Sequence, residues 1–308
     1  MSAYRERETH WADPLVRSFF KLATTGIIPA RWFQPALPDR AERAAKRGVL
    51  ELEIVTHCWQ YAHFLVHQLT SIADQPPTDL RVTVTVFYSE SDKATSALLD
   101  HFGTLEIPGV TWNWWALSEP QLFRRAIGRN LAAKATRADW VWFTDCDLMF
   151  RDDCLDQLAA ALQGNSDSLV YPRQELVTPL LADSDEMLSF DPSGAAKAPP
   201  VALERFYVSE RGRATGPLQI THGDIARAGG YCDALGFYQR PSASWRKATE
   251  DRAFRWLLET QGEPIDVPGV YRIRHVSKGR YSGEGLGMRL RGWTRRLQSV
   301  LRDRHATK

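Results

Sequence analysis

Cysteine is scarce, and what there is has no metal-binding or redox spacing. Cys58, Cys146, Cys154 and Cys232 are the whole set, with no Cys-x-x-Cys pair among them. That excludes a disulfide-stapled scaffold and a thiolate zinc module, and marks the thiols as those of a reducing compartment. Long apolar runs are missing as well. No stretch is long and apolar enough to span a bilayer, and no signal-peptide pattern is present. The expectation is a soluble, cytoplasmic protein. A Gly-rich phosphate loop is absent from Glu51 to Phe64, beside the first strand-like run, which argues against a nucleotidyltransferase. No nucleic-acid-binding motif occurs either, so no nucleic-acid partner is expected.

Net charge is small, at +2, but it is unevenly placed. From Arg272 to Lys308 there are eleven Lys and Arg against two acids, which leaves the remainder acidic. That asymmetry points to an anionic partner for the C-terminal segment. With 308 residues and 44% hydrophobic content, the chain can build one large α/β domain with appendages, or two small domains.

The stretch from Asp139 to Asp153 organises the rest. Trp140 to Thr144 is a short aromatic and β-branched run, suited to a strand buried on both faces of a parallel sheet. It ends in Asp145-Cys146-Asp147. Two carboxylates at i and i+2 can reach one ion if the chain bends out of the pleat between them, and hard oxygen ligands suit magnesium, manganese or calcium. The other reading is a polar turn after a core strand.

Upstream, Leu50 to Thr56, Leu80 to Tyr88 and Val110 to Ala116 read as strands. Tyr61 to Ala73, Thr95 to Phe102 and Glu119 to Ala135 between them read as helices. This cadence means βαβ units and a mainly parallel sheet. Downstream, a helix over Leu155 to Leu162 takes Asp152 or Asp153 as its cap, and Ser168 to Pro172 is a further strand. The Pro- and Ser-rich stretch Val177 to Pro200 reads as a substrate-side loop. Thr249-Glu250-Asp251 stands directly before Phe254, Leu257 and Leu258, so Asp251 falls in the first turn of a helix. It either favours the helix dipole or does chemistry.

The segment IGRNLAAKATRADWVWFTDCDLMF resembles the metal-binding segment of family-2 glycosyltransferases of the GT-A fold. The resemblance spans roughly Glu51 to Val276 and recurs at Gly229-Gly230-Tyr231 and at Glu250-Asp251. It implies a GT-A (Rossmann-like) domain over 49–276, a mainly parallel central sheet flanked by helices, with helical extensions at 1–48 and 277–308. It also implies a metal-dependent transfer of a sugar from a nucleotide-sugar donor, a UDP-sugar favoured, to an acceptor hydroxyl with inversion. Asp145, Asp147 and, as third ligand, His275 would then hold manganese or magnesium, and Asp251, with Glu250 beside it, would supply the catalytic base. Donor contacts would come from Thr56, His57, Glu90, Arg129, Asn130, Asp145 and, in a lid, Lys278. Thr56-His57-Cys58-Trp59 and Ser89-Glu90-Ser91-Asp92 depart from the family's usual strand ends, which leaves the nucleotide open. His57 is equally readable as a packed strand-end histidine. A non-catalytic carbohydrate-binding or scaffold protein, using the eleven tryptophans as stacking surfaces, is the competing class; it leaves Asp145, Asp147 and Asp251 without a task.

Both extensions carry apolar stripes. Trp11, Leu15, Phe19 and Leu22 recur at helical spacing near Arg17 and Lys21, which suits a helix packed on the main domain or one lying on a membrane. Pro-bearing Ile28 to Pro38 reads as a connector and Arg40 to Arg47 as a short helix. Leu286, Leu290, Trp293, Leu297 and Leu301 form one face of a C-terminal helix crowded with arginines. The expected partners are therefore a nucleotide-sugar, a glycan or lipid-linked acceptor, and an anionic inner-membrane surface.

Overall fold

In the computed structural model, residues 13–34, 36–191, 196–243 and 249–276 are described. Trp11, Lys278 and the C-terminal stripe from Leu286 to Leu301 lie outside them. The described chain begins with a strap. Helix α1 (Asp13–Leu22) turns through Gly26, where φ is 93°, into a single 3-10 turn at Ala30–Trp32. Phe20 seats this strap on the body, its ring 5.9 Å from Tyr238 and 6.3 Å from Phe237. The packed alternative for this helix is thus realised on one of its faces. Residues 40–47 are not the helix expected. Asp39 and Glu42 close one turn; then Arg43 donates to Ser166 O and Ala44 N–H to Asp224. Cross-chain bonds of this kind outcompete an isolated helix of two turns, which is unstable by itself.

The core follows the predicted alternation. It runs β1 (Leu50–His57), α2 (Ala62–Asp74), β2 (Leu80–Tyr88), α3 (Lys93–Gly103), β3 (Val110–Ala116), α4 (Glu119–Leu122), α5 (Arg125–Ala135) and β4 (Trp140–Phe143). The helix expected over 119–135 is broken. A capping box from Ser118 and Gln121 completes one turn, and Arg124, at φ −112° and ψ 85°, leaves the helix before α5 restarts. The second half adds β5 (Leu148–Phe150), α6 (Cys154–Leu162), β6 (Leu169–Pro172), β7 (Gln174–Val177), β8 (Tyr207–Glu210), β9 (Gln219–His222), α7 (Gly223–Gly229), α8 (Glu250–Leu257), β10 (Glu263–Ile265) and β11 (Val270–Arg272). Asp153 stands at the start of α6 but caps nothing with its side chain. Asp152 accepts from Tyr271 Oη instead.

Seven strands form the main sheet in the order β10-β6-β9-β4-β1-β2-β3, parallel except for β9, which runs against both neighbours. Trp140, Val141, Trp142 and Phe143 are all buried, as their unbroken apolar run requires of a central strand. Each large side chain so buried contributes about 1.5–3 kcal/mol. Trp112 and Trp114 pack on the sheet face that carries α3, Trp112 edge-on to Phe102. They are core, not a sugar platform. A second sheet, β5-β11-β7-β8, stands beside the first. The chain leaves one sheet at Phe143 and enters the other at Leu148, so Asp145-Cys146-Asp147 is the bend between them. The stretch after β7 is anchored, not loose: Leu181 bridges His275, and Met187 O bonds His67 Nε2 at 2.8 Å. The four cysteines are free and buried.

Candidate active site

The bend is held from below by backbone bonds. Thr144 N–H donates to Val55 O, Gln68 Nε2 to Asp145 O, and Ile273 N–H to Asp147 O at 3.0 Å. The two carboxylates are therefore fixed at the ends of β4 and β1, where open α/β sheets bind ligands.

Asp145 meets two arginines. Arg125 Nη1 lies 2.6 Å from its Oδ1 and Arg129 Nη2 lies 3.4 Å from the same atom. Arg125 also reaches Glu250 Oε1, 3.1 Å away at the start of α8. One guanidinium thus joins the Asp-x-Asp bend to the Glu-Asp pair. Burial works against its charge, but Asp145 and then Glu250 more than offset that, and its pKa is raised. Arg125 carried no signal in the sequence beyond its place at the start of α5.

Arg129 and Asn130, expected at the donor, lie deeper. The Arg129 side chain is wholly buried. It donates to Thr144 O, Gly216 O and, at 2.8 Å, Tyr231 Oη. With no exposed surface, the Arg129 guanidinium supports Asp145 from beneath. Asn130 accepts from Tyr231 N–H and donates to Asp233. Gly230 makes room for this: at φ +63°, a Cβ there would lie 2.3 Å from Asn130 Oδ1. Tyr231 Oη passes a hydrogen bond to Gln219, whose Nε2 donates to Asp251 O. Arg129-Asn130, Asp145, Gly230-Tyr231 and Glu250-Asp251 are thereby one hydrogen-bonded unit.

Within the Glu-Asp pair the roles divide. Glu250 is 2% exposed and held by Arg125, whereas the Asp251 side chain is 29% exposed, with Arg255 3.9 Å away. Asp251 presents carboxylate surface to solvent, whereas Glu250, expected beside it as a catalytic residue, is buried in its pair with Arg125.

At the other strand ends, Thr56 is buried and His57 stacks on Phe87 at 5.0 Å. Helix α5 crosses directly above: a Cβ on Gly128 would lie 2.3 Å from His57 Nε2. Of the two residues expected at the donor, Thr56 is buried and His57 is packed between Phe87 and α5. Glu90 is exposed in the turn after β2. Its neighbour Asp92, which sequence reasoning did not single out, ties the two strand-end loops together. It accepts from Gln60 N–H at 2.6 Å and caps α3 through Thr95.

His275 is buried against Phe64, ring to ring 4.5 Å, and Tyr61. Among the described residues no three His, Cys, Asp or Glu side chains converge as a ready-made metal cage. Asp147 is half-buried at the bend, and Asp145 is shared with two guanidiniums. Such a donor set fits a magnesium or manganese ion that arrives with its diphosphate, since these ions bind through one or two carboxylates plus substrate phosphates.

The structure is an α/β fold with paired acids at a strand-end bend, joined through Arg125 to the first turn of α8. Residues 53–179, which carry β1 through the bend, match the profile of the family described as Glycosyl transferase family 2. No curated protein sequence matches the chain. Among solved structures, the mannosyltransferase PcManGT from Pyrobaculum calidifontis, in complex with GDP-Man and Mn2+, is 16% identical. It aligns over 87% of this chain and 70% of its own, with a TM-score of 0.45. S. aureus TarS 1-349 is 16% identical over 74% of this chain, and this chain spans 61% of it, with a TM-score of 0.43. Its complex with UDP-GlcNAc is 15% identical over 77%, spanning 62%, also at 0.43.

Proposed function

We propose that the chain is a metal-dependent glycosyltransferase that moves a sugar from a nucleotide-sugar, a UDP-sugar first among the donors to test, to an acceptor hydroxyl with inversion. The observation that carries this is the Arg125 bridge, which brings Asp145 and Glu250, 105 positions apart in the sequence, to 2.6 and 3.1 Å from one guanidinium. The bridge sets the strand-end acids beside the helix turn that carries Glu250 and, next to it, the part-exposed Asp251. A reaction that holds a diphosphate at the strand end and an acceptor hydroxyl at Asp251 needs the two brought together.

Asp147, with Asp145 assisting and His275 as a further candidate, would hold the metal. A bound manganese or magnesium ion would supply charge neutralisation to the departing diphosphate. Asp251 takes the acceptor proton as the oxygen forms its bond to the anomeric carbon from the face opposite the diphosphate. The anomeric carbon–oxygen bond to phosphate breaks in the same step, and its electron pair leaves on the nucleoside diphosphate. One such displacement inverts configuration. Arg125 would hold Asp145 and Glu250 in register.

The reading extends to an acceptor that is a glycan or a lipid-linked hydroxyl on the cytoplasmic side of a membrane, and to a domain over 49–276 with extensions on either side. The excess of basic residues from Arg272 to Lys308 supports it.

Nucleoside diphosphate release from a panel of UDP- and GDP-sugars with manganese present tests the reaction. Release from one donor is expected, lost with chelator and in Asp147→Ala, with the fold checked by an unchanged urea midpoint. Silence across the panel would overturn the transferase, and undiminished release after chelation would overturn the metal.

A further inference from the structure

The N-terminal strap packs on the body with one stripe and leaves another bare. Val16, Phe20 and Ala23 turn inward, while Leu15, Phe19 and Leu22, at i, i+4 and i+7, turn outward. Ile27 and Trp32 extend the outer stripe beyond the helix. All five are between 41% and 71% exposed, and they are five of only eight large hydrophobic residues exposed among the described residues. The Phe19 ring stands 6.2 Å from that of Phe33, which joins the helix to the 3-10 turn that carries Trp32. The strap is also firmly placed. Phe33 packs on Trp256 at 5.5 Å, Trp256 Nε1 donates to Ile28 O, and Asp13 pairs with Arg240. A fixed surface of this kind is a docking site by default, since scattered apolar residues need no partner but a contiguous set does.

Charge identifies the occupant. From residue 14 to residue 38 the sequence has Arg17, Lys21 and Arg31 and not one acid. Lys21 and Arg31 are exposed beside the apolar set. A second copy docking through the same face would set these cations against their own images, which like-charge repulsion disfavours. An anionic bilayer answers both features: the aromatic and aliphatic side chains enter the acyl boundary and the cations meet the headgroups.

We infer that Leu15, Phe19, Leu22, Ile27 and Trp32, rimmed by Lys21 and Arg31, dock this protein on an anionic lipid surface. The attachment does not rest on the sugar-transfer reading. One consequence does: Trp256, which anchors the strap, sits on the same short helix as Asp251, so docking brings the proposed base close to the bilayer.

The test is sedimentation of the full chain with vesicles of phosphatidylcholine alone or mixed with phosphatidylglycerol, in salt of about 0.1 M, where charges farther apart than about 10 Å are screened. Wild type should bind the anionic vesicles. The triple variant Phe19→Ser, Ile27→Ser, Trp32→Ser should lose at least about tenfold in partitioning, as removal of so much apolar surface dictates. The pair Lys21→Glu, Arg31→Glu should lose a similar amount on anionic vesicles only. The substituted side chains are solvent-exposed, so unchanged urea midpoints will certify the fold. Wild-type protein that fails to bind, or a triple variant that binds as wild type does, overturns the proposal; the second result would assign binding to the basic C-terminal segment instead. A dimer in analytical ultracentrifugation that the triple variant abolishes would overturn it too, and make this face a self-interface.

Discussion

Arg125 holds two carboxylates at once, and its removal therefore separates structure from chemistry. In Arg125→Met, Glu250 remains buried without its cation, and breaking a buried pair from one side costs about 3–5 kcal/mol. Urea unfolding should show that loss, and Glu250→Gln in the same chain should recover part of it, because the stranded charge is then gone. Asp251 makes the opposite prediction. Asp251→Asn keeps the shape and removes the proton acceptor, so turnover should fall by about two to four orders of magnitude, while donor binding by calorimetry stays unchanged. If binding vanishes with turnover, Asp251 contacts the donor and the base lies elsewhere. Asp145 and Asp147 stand out by their place at a strand end, whereas Asp251 stands out only through the family resemblance, since an acid in a helix's first turn also serves the helix dipole. Arg125 left no such mark: its partners are 20 and 125 positions away, and only folding shows them.

Among elements, α5 is the one whose placement matters most to the site. It lies against the end of β1 so closely that Gly128 faces His57 and Phe87 without room for a methyl group. Gly128→Ala should cost about 1–3 kcal/mol, the usual penalty of overpacking, read as a lower urea midpoint. Because Arg125 and Arg129 ride on the same helix, donor affinity should fall with it. An unchanged midpoint would mean that α5 can slide, and that the Arg125 bridge is adjustable. The break between α4 and α5 belongs to this scale as well. A continuous helix over 119–135 satisfies local propensity, but the buried Arg124, whose guanidinium lies 4.9 Å from the Phe237 ring centre, interrupts it, and tertiary contact overrides the local preference.

For the molecule as a whole, acid should be destabilising in a definite window. Burial, with the neighbouring His67 adding to it, lowers the His63 pKa from 6.5 to about 4; burial lowers those of His67 and His222 as well. Between pH 6.5 and about 4 the unfolded chain binds protons that folded His63 refuses, so stability falls as pH falls through that range. Glu53 works in the opposite direction: burial raises its pKa, and its stabilising contribution is lost as pH rises through that raised value. Thermal midpoints between pH 7 and 4.5 should therefore decline, and more gently in His63→Phe; an identical slope in the two proteins would remove His63 as the cause. At this scale the sequence by itself determined the α/β class, the order of the strands along the chain, the position of the paired acids and the existence of an apolar strap. These depend on local periodicity and on residue types that must sit at strand or helix ends. Tertiary structure decided the rest. It buried Arg129 and Asn130, divided Glu250 from Asp251, packed His57 under α5 and turned one stripe of α1 inward while leaving its neighbour bare. Each of those outcomes depends on which distant surface meets a side chain, and a residue's own neighbours in sequence carry no record of that.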